Sequence, residues 1–332
     1  MYTKRNYGFW MTFNWSKEPF IYGALYAALL TSIFYFGKID LSLPWQPISI
    51  LGIAVAFYLG FKNNSSYDRT WEARKIWGGI VNNSRSFGAA VISFIQAEDK
   101  EDVAKVRKAL IYRHIAWLTA LRYQLRLSRE WEHTESRVKG LYVPTICEDY
   151  FDKLEDEILK FISKEELNGY KSKANMATQI LAKQAAELQK LKNLAYFDDF
   201  RHIEFHKLVA LFYDDQGKSE RIKNFPFPRQ YASAALWTTL IFCILLPFGL
   251  LNVFIEAKGI LIWLAVPFSA LVTWIFFLME KIGDYSENPF EGTYNDVPIT
   301  SISRAIEIDL REMINDNTAI PKAITSENGF LM

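Results

Sequence analysis

Two short stretches carry side chains of the kind that do chemistry. "HIEFH", residues 202–206, sets His202 and His206 four apart with Glu204 between them, one above the other if the segment is helical. Two imidazoles so placed can hold a metal ion. The glutamate does not follow the first histidine directly, as it does in H-E-x-x-H, so a zinc hydrolase is not supported. Surface or intersubunit histidines are the simpler reading. "REWEHTES", residues 129–136, gathers Glu130, Glu132 and Glu135, and reads as a solvated face rather than as a pair of acid–base carboxylates. His114 and His133 stand alone. Cys147 and Cys243 have neither zinc nor disulfide spacing. With no glycine-rich phosphate loop, nucleophile elbow or redox pair, catalysis is not expected, and no cofactor is called for.

A third pattern points elsewhere. Ile53, Phe57 and Phe61 recur every fourth residue, so they cover about 80° of one helix face at 100° per residue. Beside them run Gly52, Ala56 and Gly60, the small-residue stripe that lets helices approach closely in lipid. Such a helix suits a ring in which neighbouring copies pack through the small stripe and each turns its bulky stripe to a common axis. The simpler alternative is that the phenylalanines face lipid or other helices. A constriction of this kind has no charge and would act by dewetting and by ring edges. Phenyl edges are weakly positive, which mildly favours an anion.

The elements that must position this stripe are apolar and long. The chain has 332 residues, 50% hydrophobic, 16% aromatic and 23% charged, with a formal net charge of +1. No polyanion-binding surface is implied, so nucleic acid is not an expected partner. Four uncharged apolar runs, at about 20–37, 44–61, 231–255 and 259–279, approach or reach the roughly 17 to 25 residues that a membrane-spanning helix needs. Short connections make each pair a hairpin. The expected organisation is an N-terminal segment at 1–19, a membrane hairpin at 20–61, a soluble helical domain at 62–230, a second hairpin at 231–279 and a C-terminal segment at 280–332. Four spans put both termini and the soluble domain on one side. Lys4, Arg5, Lys17 and Lys62 on that side, against Lys38 and Lys258 on the other, assign it to the cytoplasm. The first apolar run lacks a cleavage site and reads as mature structure rather than as a signal peptide.

Within the soluble domain, apolar residues at helical spacing predict helices at 101–126, 173–194 and 199–222, with a loop at "GLYVPTICED". No run alternates as a strand would. Residues 315–332 are expected to be loosely held. At the junction between membrane and soluble parts, glycine and proline are missing from Lys62 to Trp77, so the second span should continue as one helix into "SYDRTWEARKIWGG". That helix would set Tyr67, Trp71, Arg74, Gly78 and Val81 on one face, pair Glu72 with Lys75, and turn Asp68 and Arg69 toward other helices.

"LGFKNNSSYDRTWEARKIWGGIVNNSR", residues 59–85, resembles the signature of the bestrophin family in its bacterial branch. Its marks are a pore helix ending in "LGF", then Tyr67, Asp68, Arg69, Glu72, Arg74, Trp77 and Gly78. "ERIKNFPFPRQY" at 220–231 and "ENPFE" at 287–291, with Asn288, Pro289 and Phe290, agree. The resemblance implies an all-α membrane protein, a homopentameric channel in the inner membrane that passes small inorganic ions, mostly anions, among membrane lipids. It makes Ile53, Phe57 and Phe61 the hydrophobic neck, and Phe197 or Phe200 the residue of a second, cytosolic aperture. One departure concerns calcium. The acidic run that clasps it in animal members is reduced here to Glu291 and Asp296, so no calcium clasp is expected. The same fold conducting cations, and a membrane-anchored scaffold or enzyme, are the alternatives. A secondary transporter would need intramembrane charge or broken helices, which are missing.

Overall fold

The computed structural model describes residues 1–133, 152–255 and 259–332. It is built of helices: α1 (Phe9–Gly37), α2 (Trp45–Phe94), α3 (Lys100–Arg126), α4 (Leu154–Ile158), α5 (Lys164–Lys171), α6 (Met176–Asn193), α7 (Asp199–Asn224), α8 (Arg229–Phe254), α9 (Ala265–Tyr285) and α10 (Ile299–Met313). A 3-10 turn, Gly259–Leu264, leads into α9. Among the described residues there is no strand, only isolated bridges that join Phe330 to Tyr2 and to Glu327.

The helices form two layers with separate cores. In the membrane layer α1 lies along α9, and α2 packs on α8 and α9. Its core is Leu30, Ile48, Val55, Leu59, Phe242 and Leu246. The helices α1, α2, α8 and α9 are long and apolar enough to cross a membrane. In the second layer the distal half of α2 packs on α7 and α10, and α3 on α6 and α10. Trp77, Phe87, Trp117, Phe205 and Phe212 fill that core. Helices α3, α5, α6 and α7 carry side-chain N-caps, with Asp99, Ser163, Asn175 and Asp198 each accepting from a backbone N–H of the first turn. Helices α2, α8 and α10 start instead directly after Pro44, Pro228 and Pro298.

Only α2 belongs to both cores. At 1.5 Å per residue its 50 residues run about 75 Å, as expected from the missing helix breakers. Three readings need correction. The first helix starts at Phe9, well ahead of its apolar run, because aromatic residues of its first turns stack on Trp274 of α9. The helix predicted over 173–194 runs from Met176 to Asn193, which leaves Leu194 exposed at its end. Residues 315–332 are not loosely held. Asp316 accepts from Lys108, Tyr112 and Arg311, Thr3 N–H donates to the Gly329 carbonyl at 2.8 Å, and Phe330 is buried. These contacts join distant parts of the chain, so no local pattern announces them. The loop at 140–149, with Cys147, Glu135 and Lys258, lies outside the described residues.

Candidate functional site

The stripe on α2 faces away from the chain's own bundle. Ile53, Phe57 and Phe61 are 72%, 68% and 58% exposed, while Ile48, Val55 and Leu59 on the opposite side are buried. The Phe57 and Phe61 rings meet edge to face at 4.5 Å, so each steadies the other's rotamer. The small stripe divides. A Cβ on Gly52 would stand 2.8 Å from Phe242 Cε2, so at this level the close approach is to α8 of the same chain rather than to a neighbouring copy. Ala56 is half-buried, and Gly60 has open space around it.

The exposed face does not stop at Phe61. Eleven residues beyond Phe57, Asp68 returns to within about 20° of its direction, and Lys75, five full turns on, returns to about 0°. Both are exposed, and neither has a hydrogen bond or ion pair among the described residues. A bulky apolar stripe is therefore continued by a carboxylate and then an ammonium along one line of one helix. Helical projection of the sequence alone would mark this line.

Other signature residues anchor α2 to the ends of its neighbours. Arg69 donates to the carbonyls of Ile222 and Phe225, closing the C-terminus of α7, and to that of Glu287 after α9. Thr70 Oγ1 donates to the Ser286 carbonyl at 2.8 Å. These are carbonyls that a helix leaves without intrahelical partners. Lys62 is buried, with Nζ 2.7 Å from Glu280 and 3.7 Å from Asp284 of α9. Asn63 Nδ2 holds the Leu59 and Met279 carbonyls. Glu72 reaches Arg221 of α7 at 2.5 Å, not Lys75. Trp77 is buried in the second core, Tyr67 stacks on Trp71 with rings 7° from parallel, and Arg74 and Gly78 lie on the exposed side.

A family model described as "Bacterial/Fungal Bestrophin protein" matches residues 18–312. The chain belongs to the bestrophin family. Among curated relatives, the voltage-dependent anion channel-forming protein mll4386 of Mesorhizobium japonicum is 27% identical over 311 residues, 93% of this chain and 88% of that protein. The voltage-dependent anion channel-forming protein YneE of Escherichia coli K12 is 27% identical over 333 residues, 96% and 97% of the two chains. A solved bacterial bestrophin homologue from Klebsiella pneumoniae superposes with a TM-score of 0.74 at 21% identity, covering 90% of this chain and 98% of that one. The fold is thus the all-α bestrophin fold, and the protein is a membrane protein.

In this bestrophin the loop after α9 is anchored as the signature suggests. Phe290 is buried in the second core, the Pro289 carbonyl accepts from Val297 N–H, and Asn288 Nδ2 donates to Glu291. Its carboxylates are each met by a cation of the same chain. Asp296 accepts from Arg126 at 2.5 Å with both side chains buried, Glu291 from His133 at 3.2 Å, and Glu287 from Arg229 at 2.6 Å. A calcium ion wants six to eight free oxygen ligands, and this set does not fit it. His133, isolated in the sequence, bridges Glu291 on one ring nitrogen and Asp284, at 2.7 Å, on the other. Burial alone would lower its pKa, but hydrogen bonds to Asp284 and Glu291 outweigh that and raise it to about 10.

The remaining expectations sort by burial. Phe197 is 5% exposed and packed on Phe205, so it cannot line an aperture. Phe200 is 82% exposed at the start of α7. In "HIEFH" Glu204 pairs with Lys207, His202 stacks on Phe197, and no group of three metal-binding side chains occurs among the described residues. Glu132 is not on a solvated face: it is buried and paired with Lys223. Lys62 and His133 were missed because their partners, on α9 and the following loop, are over 150 residues away in the chain.

Proposed function

We propose that the protein is an anion-permeable channel formed by several copies of the chain, with Ile53, Phe57 and Phe61 of each copy around a common axis as a hydrophobic neck. The observation that carries this reading is the bulky stripe of α2, turned away from its own bundle and continued in line by Asp68 and Lys75. Four spans in one chain are too few to enclose such a path, so the ring needs other copies, and five is the number the family resemblance implies. The names of the curated relatives, voltage-dependent anion channel-forming proteins, support the choice of anions. No catalytic role is part of this reading. Purified protein in liposomes should pass iodide to an enclosed quenchable dye, and Phe57→Trp should slow the flux. Liposomes that stay iodide-tight, with protein shown to be oligomeric, would sink the channel reading.

In the same reading both termini and the second layer lie in the cytoplasm of the cell-membrane channel. A cysteine placed at exposed Ser326 should react with an impermeant maleimide only after the cells are opened; labelling of intact cells would reverse the orientation. Calcium is not needed, because Arg126, His133 and Arg229 neutralise the loop carboxylates from within. Flux should be equal in calcium and in a chelator, and a calcium-dependent flux would contradict this.

A further inference from the structure

A cavity of about 380 Å³ lies beside the pore helix where the membrane layer meets the second layer. Its walls include Tyr7, Trp15 of α1, Asn63, Tyr67 and Thr70 of α2, and Tyr294 of the loop after α9. The volume falls within the range of small-molecule pockets. Counted from Phe57, Asn63 points about 240° and Thr70 about 220° around the helix, so the cavity is behind the neck and not in the ion path.

Three of these side chains carry polar atoms without a partner: Trp15 Nε1, Asn63 Oδ1 and the Tyr294 hydroxyl. Tyr294 is more than nine-tenths buried. A donor, an acceptor and a phenol left unpaired in one wall system cost free energy unless something else satisfies them. The rest of the lining mixes aromatic and aliphatic groups with the neutral polar Thr12, Thr70, Ser286 and Asn295, and includes no charged side chain. Lys281 Nζ sits 4.5 Å from the Trp15 indole centroid, outside the lining, and donates to the Trp15 carbonyl. An ion of either sign in the cavity would be buried without a counter-charge on its walls.

We propose that this cavity binds a small, uncharged aromatic ring compound bearing a hydrogen-bond donor, of the indole class. The ring stacks among Trp15, Tyr67 and Tyr294, and its N–H donates to the unpaired Asn63 Oδ1 or Tyr294 oxygen. The compound joins α1, α2 and the loop after α9, and so braces the first turns of α2 beyond Phe61. Binding is a property of the wall residues and does not depend on which ion the channel passes.

Isothermal titration of purified oligomer in detergent, corrected for the detergent alone, tests this with indole as probe. The expected result is saturable binding of one indole per chain, with tryptamine and indole-3-acetate at least tenfold weaker. Tyr294→Phe, which removes the phenol oxygen and keeps the ring, and Trp15→Phe, which shrinks the aromatic wall, should each weaken indole by about 2- to 10-fold. The comparison of the three probes uses the unaltered protein, so it stands even if a variant folds poorly. No saturable heat, which would mean a cavity filled by water, overturns the proposal. So does unchanged affinity in both variants, or a charged probe that binds as tightly as indole.

Discussion

Lys62 directly follows Phe61 in the chain, yet its ammonium is buried 2.7 Å from Glu280 of α9. The end of the exposed stripe is therefore tied to a neighbouring helix by charge, in a place where the chain leaves the apolar layer. Asp284 lies 3.7 Å away and itself holds His133, which holds Glu291. A chain of charges thus runs from the neck to the loop after α9.

Breaking that tie on one side leaves a buried charge without its nearest counter-ion. Lys62→Met should cost about 3–5 kcal/mol, and Glu280→Met a comparable amount, whereas the double variant should recover much of the loss. Denaturant melts of the three variants check this. Losses that simply add would show that the two residues do not act as a pair.

The two sides of α2 should answer differently to truncation. Leu59→Ala, at a fully buried position, should lose about 2–5 kcal/mol of stability. Phe57→Ala and Phe61→Ala remove exposed rings, so they should leave the melting temperature of the chain's own bundle nearly unchanged while raising single-channel conductance several-fold. Equal destabilisation by all three would place the phenylalanines in packing, not in a path.

Asp68 and Lys75 follow the neck on the same line of the helix. In a ring of copies they form successive rings of opposite charge. Asp68→Asn should shift the permeability ratio toward anions, and Lys75→Gln toward cations, by a few-fold each at low salt, with the shifts shrinking as salt screens the charges. Bi-ionic reversal potentials measure this, and unchanged ratios would remove both residues from the pathway.

Two histidines, His114 buried and His133 half-buried, set opposite limbs of the stability curve. His133 has its pKa raised from 6.5 to about 10, so its contribution is complete below pH 6.5 and is lost as pH rises through about 10. His114 is buried against Ser84, and burial lowers its pKa to about 3. Its neutral native state is disfavoured progressively as pH falls below 6.5, where the unfolded chain takes up the proton. Melts across pH should show His133→Gln flattening the alkaline limb and His114→Gln the acid limb. The reverse assignment, or no change in either, would refute it.

These residues also show what a sequence can and cannot carry. The uninterrupted course of α2 was legible, because helix breakers are missing over the junction and apolar period continues on both sides. The exposed stripe of Ile53, Phe57 and Phe61 was legible as one face for the same reason: side chains at i, i+4 and i+8 share a face whatever surrounds them. What covers a face is decided by other helices. Gly52 meets Phe242, Phe197 is enclosed by Phe205, and Glu132 finds Lys223, each across long stretches of chain. Residues 315–332 looked loose because their polar side chains have no helical period, but Asp316 is the shared acceptor of Lys108, Tyr112 and Arg311. Charge partners of this kind leave no mark in local spacing.

The most direct test of the central claim is the reversal potential of purified oligomer in planar bilayers under a potassium chloride gradient. An anion-permeable path past Phe57 and Phe61 predicts a value near the chloride equilibrium potential. A value near the potassium equilibrium potential would keep the channel and contradict its selectivity, and the lack of any current at any voltage would contradict the channel itself.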